Sequence, residues 1–126
     1  MTTPLTPCKL VLIIEDDRAI QRMLKSYLEI EGYTVALASD GQEGIDALQN
    51  LHDSPLPCVI LLDMMMPRVT GWEFLDFQRN DARFSQIPVL VVSAYPEIAR
   101  SVKPHQFIPK PVQADALMDA LEAYCA

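Results

Sequence analysis

Short blocks of consecutive apolar residues alternate along this chain with segments of helical periodicity. The first block, KLVLII (residues 9–14), is nearly continuous, which is typical of a strand covered on both faces. The segment after it has the i, i+3, i+4, i+7, i+8 spacing of one apolar helix face, at Ile20, Met23, Leu24, Tyr27 and Leu28. The pattern therefore predicts a strand followed by an amphipathic helix.

This strand-then-helix unit occurs five times. The predicted strands are residues 9–14, 33–39, 58–63, 87–93 and 105–109. Capping boxes predict helices that begin after Asp40 and Thr70, each with a glutamate three residues later, and Pro96 begins a short helix over 96–103. Since parallel crossovers need helices, the predicted fold is α/β: a doubly wound parallel sheet of five strands with helices on both faces.

Composition and charge limit the function. The 126 residues suffice for one domain, which we place at 9–126 after an N-terminal extension of residues 1–8, and half of them are hydrophobic. A net charge of -7 argues against binding to nucleic acid or anionic membranes. No apolar run approaches the ~20 residues of a membrane span, and residues 1–10 do not resemble a signal peptide.

The three cysteines have no spacing typical of a metal site. We interpret Cys58, at the start of a strand, as a small core residue, and Cys125, next to the C-terminus, as an exposed thiol. Free thiols are typical of a reducing compartment, so the sequence favours a cytoplasmic protein.

Polar residues follow the predicted strands at the edge where parallel strands end. They are Glu15, Asp16 and Asp17 after the first strand, and Asp63, Ser93 and Lys110 at the ends of the third, fourth and fifth. Ligands bind at this edge of doubly wound sheets. Carboxylates gathered there repel one another unless a cation neutralises them, and all-oxygen ligands suit Mg²⁺ or Mn²⁺.

Asp63 is the candidate nucleophile of this edge. An aspartate can accept a phosphoryl group to form an acyl phosphate. The transferring group needs its oxygens held by a metal, a cation and a hydroxyl, which Lys110 and Ser93 could supply with the metal. The residues therefore predict phosphoryl transfer to Asp63.

Four segments together resemble the receiver domain of two-component response regulators: VLIIEDD, VILLDMMMPRVTGWEFL, PVLVVSAY and FIPKPV. The third-strand segment contains Asp-x-x-Met-Pro-x-x-x-Gly, and Lys-Pro follows the fifth strand. The resemblance covers nearly the whole chain and implies a flavodoxin-like fold of strand order 2-1-3-4-5. It implies a cytoplasmic signalling phosphoprotein, in a two-component system or phosphorelay, that catalyses at most its own phosphorylation and dephosphorylation.

The resemblance also implies residue roles. Asp63 would accept the phosphoryl group from a histidine kinase or histidine phosphotransfer protein, and the signal would pass to a downstream protein. Mg²⁺ would be held by Asp16, Asp63, the backbone carbonyl of Met65 and, through water, Glu15. Ser93 and Lys110 would bind phosphoryl oxygens, Ser93 and Phe107 would form the switch, and the Lys110–Pro111 bond would be cis.

The chain departs from the family pattern in two respects. The segment between Ser93 and Lys110 is short, so the fourth helix is expected to have about two turns. Met65 and Tyr95, two residues after Asp63 and Ser93, should not help water to attack, which predicts slow self-dephosphorylation. Phe107, which has no hydroxyl, is expected to point inward more often in the resting state.

Three other kinds of protein share parts of this pattern. An aspartyl-phosphate phosphatase of the haloacid dehalogenase type needs an acid where Met65 stands, which excludes it. A nucleotide- or flavin-binding module is disfavoured because no glycine-rich loop follows the first strand. A receiver-like docking module that acts without phosphorylation stays open, and Trp72 suits equally a half-exposed packing residue or a partner contact.

Overall fold

The computed structural model describes residues 9–51, 55–66 and 68–125, so the extension 1–8 and Pro67 of the Asp63 motif lie outside the described residues. Ten elements alternate along the chain. The strands are β1 (Leu10–Ile14), β2 (Thr34–Ala38), β3 (Val59–Asp63), β4 (Val89–Ser93) and β5 (Gln106–Pro109). The helices are α1 (Arg18–Ile30), α2 (Gly41–Gln49), α3 (Gly71–Asn80), α4 (Pro96–Ser101) and α5 (Ala114–Cys125).

The strands form one parallel sheet of order β2-β1-β3-β4-β5, which confirms the doubly wound α/β fold. The register pairs Ile14 with Leu62 and Ser93 with Pro109. Strand order reverses between β1 and β3, and the residues that follow these two strands therefore meet at the carboxyl edge.

Both faces of the sheet are covered, which explains the continuous apolar strands. Alternate β1 residues point to opposite faces: Leu12 and Ile14 pack with residues of α2, α3 and α4, whereas Val11 and Ile13 pack with residues of α1 and α5. Each face thus has its own hydrophobic core, and burial of both stabilises the sheet.

Local capping sets the starts of α2 and α3 as the sequence predicts. Asp40 accepts a hydrogen bond from the Glu43 amide, and Thr70 forms a complete capping box with Glu73. Gly32 follows α1 with a φ of 92°, a left-handed conformation that glycine adopts without strain.

Helix α4 is shorter than the predicted 96–103. It has six residues and ends at Ser101, because Lys103 precedes a proline and has a φ of 50°. Arg79 of α3 donates a hydrogen bond to the Val102 carbonyl at 2.5 Å, which ties the end of α4 to α3.

The prediction of free thiols at Cys58 and Cys125 is wrong. The two form a disulfide, with a Cα–Cα distance of 5.4 Å, and Cys125 is buried rather than exposed. Cys58 lies just before β3 and Cys125 ends α5, and these ends meet because α5 packs on the sheet beside β3. The thiol argument for a reducing compartment therefore does not hold.

No helix within the described part of the chain is long and apolar enough to cross a membrane.

Candidate functional site

Two buried carboxyl groups form the centre of the site. Asp63 ends β3 and is 6% exposed, and Glu15 follows β1 and is 1% exposed. The adjacency of β1 and β3 places them together. The Met65 amide donates to Asp63 Oδ1 at 3.1 Å, and the Asp17 amide donates to Glu15 Oε2 at 3.1 Å. Backbone amides therefore orient both groups.

Lys110 supplies the positive charge opposite these acids. Its Nζ lies 2.9 Å from Glu15 Oε1 and 3.7 Å from Asp63 Oδ2, so it is closer to Glu15 than to the candidate nucleophile. The Lys110–Pro111 peptide bond is cis. One lysine thus serves two carboxylates.

The cluster shifts the protonation of its members. Burial raises the pKa of Glu15 to about 7, although the Lys110 hydrogen bond opposes the shift. Burial also raises the pKa of Asp63, against the hydrogen bond from Met65 and the charge of Lys110. Burial by itself would lower the pKa of Lys110, but its pairing with Glu15 and Asp63 raises it overall.

A third carboxylate completes an all-oxygen cluster. Asp16 is exposed, and one oxygen each from Glu15, Asp16 and Asp63 lies within 4.8 Å of the others. Three carboxylates against one lysine leave excess negative charge, and hard oxygen donors suit Mg²⁺ or Mn²⁺, so the residues fit such an ion. Asp17 instead caps α1, where Oδ1 accepts from the Ala19 amide at 2.8 Å.

The cluster opens into a cleft of about 240 Å³. Ser93 and Lys110 line its interior, and Met65 and Tyr95 line it from half-exposed positions. Ser93 Oγ accepts a hydrogen bond from the Tyr95 amide at 2.9 Å, so its hydroxyl oxygen is held by the next loop. The cleft is therefore small, and charged side chains line it together with apolar ones.

Residues 11–122 match the family model of the response regulator receiver domain. This chain belongs to that family. The match and the site therefore agree on a receiver-type signalling module whose acidic cluster could hold a metal ion, and the predicted family and fold are confirmed.

Individual relatives support the assignment of this receiver domain. It is 31% identical over 118 residues to the response regulator MprA of Mycobacterium sp. (strain KMS), covering 90% of this chain and 49% of that protein. The chain spans about half the length of the curated relatives it matches. The activities and partners of those whole proteins are therefore not assigned to this chain.

Solved structures give the same fold. The chemotaxis response regulator CheY4 of Vibrio cholerae superposes with a TM-score of 0.82 at 27% identity, over 94% of this chain and 99% of that one. The bacteriophytochrome response regulator RtBRR superposes with a TM-score of 0.82 at 25% identity, over 95% of this chain and 80% of that one.

Sequence reasoning missed Gln21, which supports the site of this receiver domain by binding the backbone where β1 and β2 end. Its buried side chain on α1 donates to the carbonyls of Glu15 and, at 3.1 Å, Ala38. The amide thus satisfies backbone acceptors where β1 and β2 end. A glutamine adjacent to Ile20, on the apolar side of a predicted helix, was the available signal.

The pairing of Asp40 with Arg68 was also missed. Arg68, in the loop between β3 and α3, donates to Asp40 Oδ2 and has a φ of 60°. Burial by itself would raise the pKa of Asp40, but the hydrogen bond from the Glu43 amide and the interaction with Arg68 lower it overall. This pair fastens the loop after Asp63 to the start of α2, and its sequence separation of 28 hid it from sequence analysis.

Proposed function

We propose that this receiver domain is a phosphoacceptor switch that receives a phosphoryl group on Asp63. The donor would be a phosphohistidine of a histidine kinase or histidine phosphotransfer protein, and the signal would leave through contact with a downstream protein. The observation that carries the proposal is the placement of Asp63, which faces an open cleft with Lys110 and two further carboxylates beside it.

The transfer forms one bond and breaks another. An Asp63 oxygen attacks phosphorus, the bond from phosphorus to the imidazole nitrogen breaks, and the nitrogen keeps the electron pair. Bound Mg²⁺ would neutralise charge on the phosphoryl oxygens. Asp16, Asp63 and the Met65 carbonyl would hold the ion, with Glu15 acting through water. Lys110, whose ammonium group has three N–H donors, would pair with a phosphoryl oxygen from its position beside Glu15 and Asp63.

The switch would use Ser93 and Phe107. Ser93 Oγ would leave the Tyr95 amide and donate to a phosphoryl oxygen. Phe107 lies on β5 opposite Val91, and its half-buried ring packs against the core that contains Ala99 and Val102. A shift of the β4–α4 loop toward the phosphoryl group would open room for Phe107 to turn further inward.

The test is intact-mass measurement after incubation with acetyl phosphate and Mg²⁺. We expect one phosphoryl adduct, lost on chelation of the metal and in Asp63→Asn, and strongly reduced in Asp16→Asn. Asp17→Asn is the matched control, since asparagine also caps a helix and Asp17 lies outside the carboxylate cluster.

An adduct that persists in Asp63→Asn would place the phosphoryl group elsewhere and contradict the proposal. Absence of any adduct, together with no Mg²⁺ binding by calorimetry, would favour a docking module that acts without phosphorylation.

A further inference from the structure

Helices α2 and α3 leave a surface groove of about 540 Å³ between them. Its apolar lining consists of Ile45 from α2, Val69 from the loop between β3 and α3, and Trp72 and Phe77 from α3. We propose that this α2–α3 groove binds an amphipathic segment of a partner protein that carries Lys or Arg beside its apolar residues.

Trp72 is the centre of the proposed surface. It is 42% exposed, and it also lines a second groove of about 220 Å³ on the other side of α3. The start of α3 is fixed by the Thr70–Glu73 capping box and its packing by Phe74, so the helix does not need an exposed tryptophan. A tryptophan between two concavities is typical of the residues that dominate binding energy at interfaces.

The charges around the α2–α3 groove favour a cationic segment. Glu73 and Asp76 line it, and no Lys or Arg does so among the residues that the structure describes. Asp46, exposed on α2, accepts a hydrogen bond from Gln42 of the lining at 3.0 Å, but Arg68 interacts electrostatically with Asp46, so the negative charge of the groove comes from Glu73 and Asp76. A cationic partner would gain electrostatic complementarity, and an acidic one would be repelled.

Arg79 does not offset this charge. It lines the second groove, beyond Trp72, and its guanidinium donates to the carbonyls of Val102 and Lys103. These acceptors hold its donors at the end of α4, away from the α2–α3 groove.

The groove is adjacent to the loop that leaves the acidic site. The loop begins after Asp63, and the Gly71 amide at its far end donates to the Met64 carbonyl at 3.3 Å. Val69 lines the groove while its carbonyl accepts from the Gly41 amide at 2.9 Å. An occupant of the groove would thus contact the loop that follows Asp63.

Trp72 is the sole tryptophan of the chain, so its fluorescence reports on the groove directly. The probe is a synthetic amphipathic helical peptide of about five turns with a leucine face and lysines beside it. Its counterpart replaces every lysine by glutamate. We expect the lysine peptide to give a saturable change in Trp72 emission and the glutamate peptide to give none.

Two variants locate the binding. Glu73→Gln with Asp76→Asn removes the charge at nearly constant shape and should weaken binding about tenfold. Trp72→Ala, measured by calorimetry, should weaken it about thirtyfold, as expected for a central interface residue. Asp119→Asn with Glu122→Gln removes two exposed charges from α5, on the opposite face, and should leave the affinity within about twofold.

Three results would overturn the proposal. One is equal binding of the lysine and glutamate peptides, and another is equal weakening by the α3 and α5 charge variants. The third is a concentration-dependent change in Trp72 emission without peptide, accompanied by dimers in sedimentation velocity, which would assign the groove to a second copy of the chain.

Discussion

Glu15 and Asp63 show how individual side chains in this receiver domain are set by their surroundings. Both are buried, and burial raises both pKa values against the attraction of Lys110. Additional positive charge would favour the ionised forms of both groups. A divalent cation at the three carboxylates would supply it, which links the buried acids to the proposed metal site.

Met65 is a second single residue whose surroundings matter. Its half-exposed side chain lines the cleft that the attacking water would enter. A thioether orients water poorly, whereas an amide can donate and accept hydrogen bonds. We predict that Met65→Asn accelerates loss of the phosphoryl group about tenfold, or ~1.4 kcal/mol in the barrier.

The decay of the adduct is followed by intact mass after removal of acetyl phosphate. Ile30→Asn, which replaces an exposed apolar residue at the end of α1, is the control and should leave the decay rate unchanged. If Met65→Asn decays no faster than the native protein, Met65 does not govern the access or order of water.

At the scale of elements, the start of α2 is packed directly against the loop that follows Asp63. A Cβ on Gly41 would overlap the carbonyl oxygen of Val69, and the ion pair of Asp40 with Arg68 fastens the same junction. Helix α2 and the loop therefore fix each other's positions.

We predict that Gly41→Ala lowers the free energy of unfolding by ~1–3 kcal/mol and displaces the loop, because a backbone atom cannot move aside locally. Urea denaturation gives the first quantity, and amide chemical shifts of Val69 and Thr70 report the second.

Gly44→Ala is the comparison on the same helix. Its Cβ would lie 2.5 Å from Ile14 Cδ1, the tip of a side chain that can change rotamer. We expect Gly44→Ala to leave the amide chemical shifts of Val69 and Thr70 unchanged. Equal loop shifts in both variants would show that the junction at Gly41 is not what positions the loop.

At the scale of the whole molecule, the disulfide joins the start of β3 to the end of α5 across a sequence separation of 67 residues. A cross-link of this span restricts the unfolded chain, which in the chain-entropy model is worth roughly 4 kcal/mol. We predict that reduction, or Cys58→Ser with Cys125→Ser, lowers the free energy of unfolding by up to this amount.

Denaturation with and without a reductant tests the prediction, and the Cys8→Ser variant serves as the control that keeps the pair. In the denatured, oxidised protein one thiol per chain, that of Cys8, should react with a thiol reagent. The Cys8→Ser variant should show none. Three titratable thiols in the native preparation would show that the disulfide does not form in solution.

The sequence by itself determined the architecture, because each level of pattern agrees with the same fold. Continuous apolar strands such as VILLD require cover on both faces, and the capping residues Asp40 and Thr70 mark where helices begin. Once the strands are parallel, residues that follow them share one edge, so Asp63 and Lys110 could be brought together from sequence alone.

Tertiary structure decided what depends on distance between residues far apart in the chain. The disulfide was hidden because pairing of Cys58 with Cys125 requires knowing that α5 packs beside β3. The preference of Lys110 for Glu15 over Asp63, and the groove around Trp72, likewise follow from how side chains pack. Local patterns in the sequence show which face of an element a residue occupies. Its contact partners depend on how elements far apart in the chain pack together, which local patterns do not show.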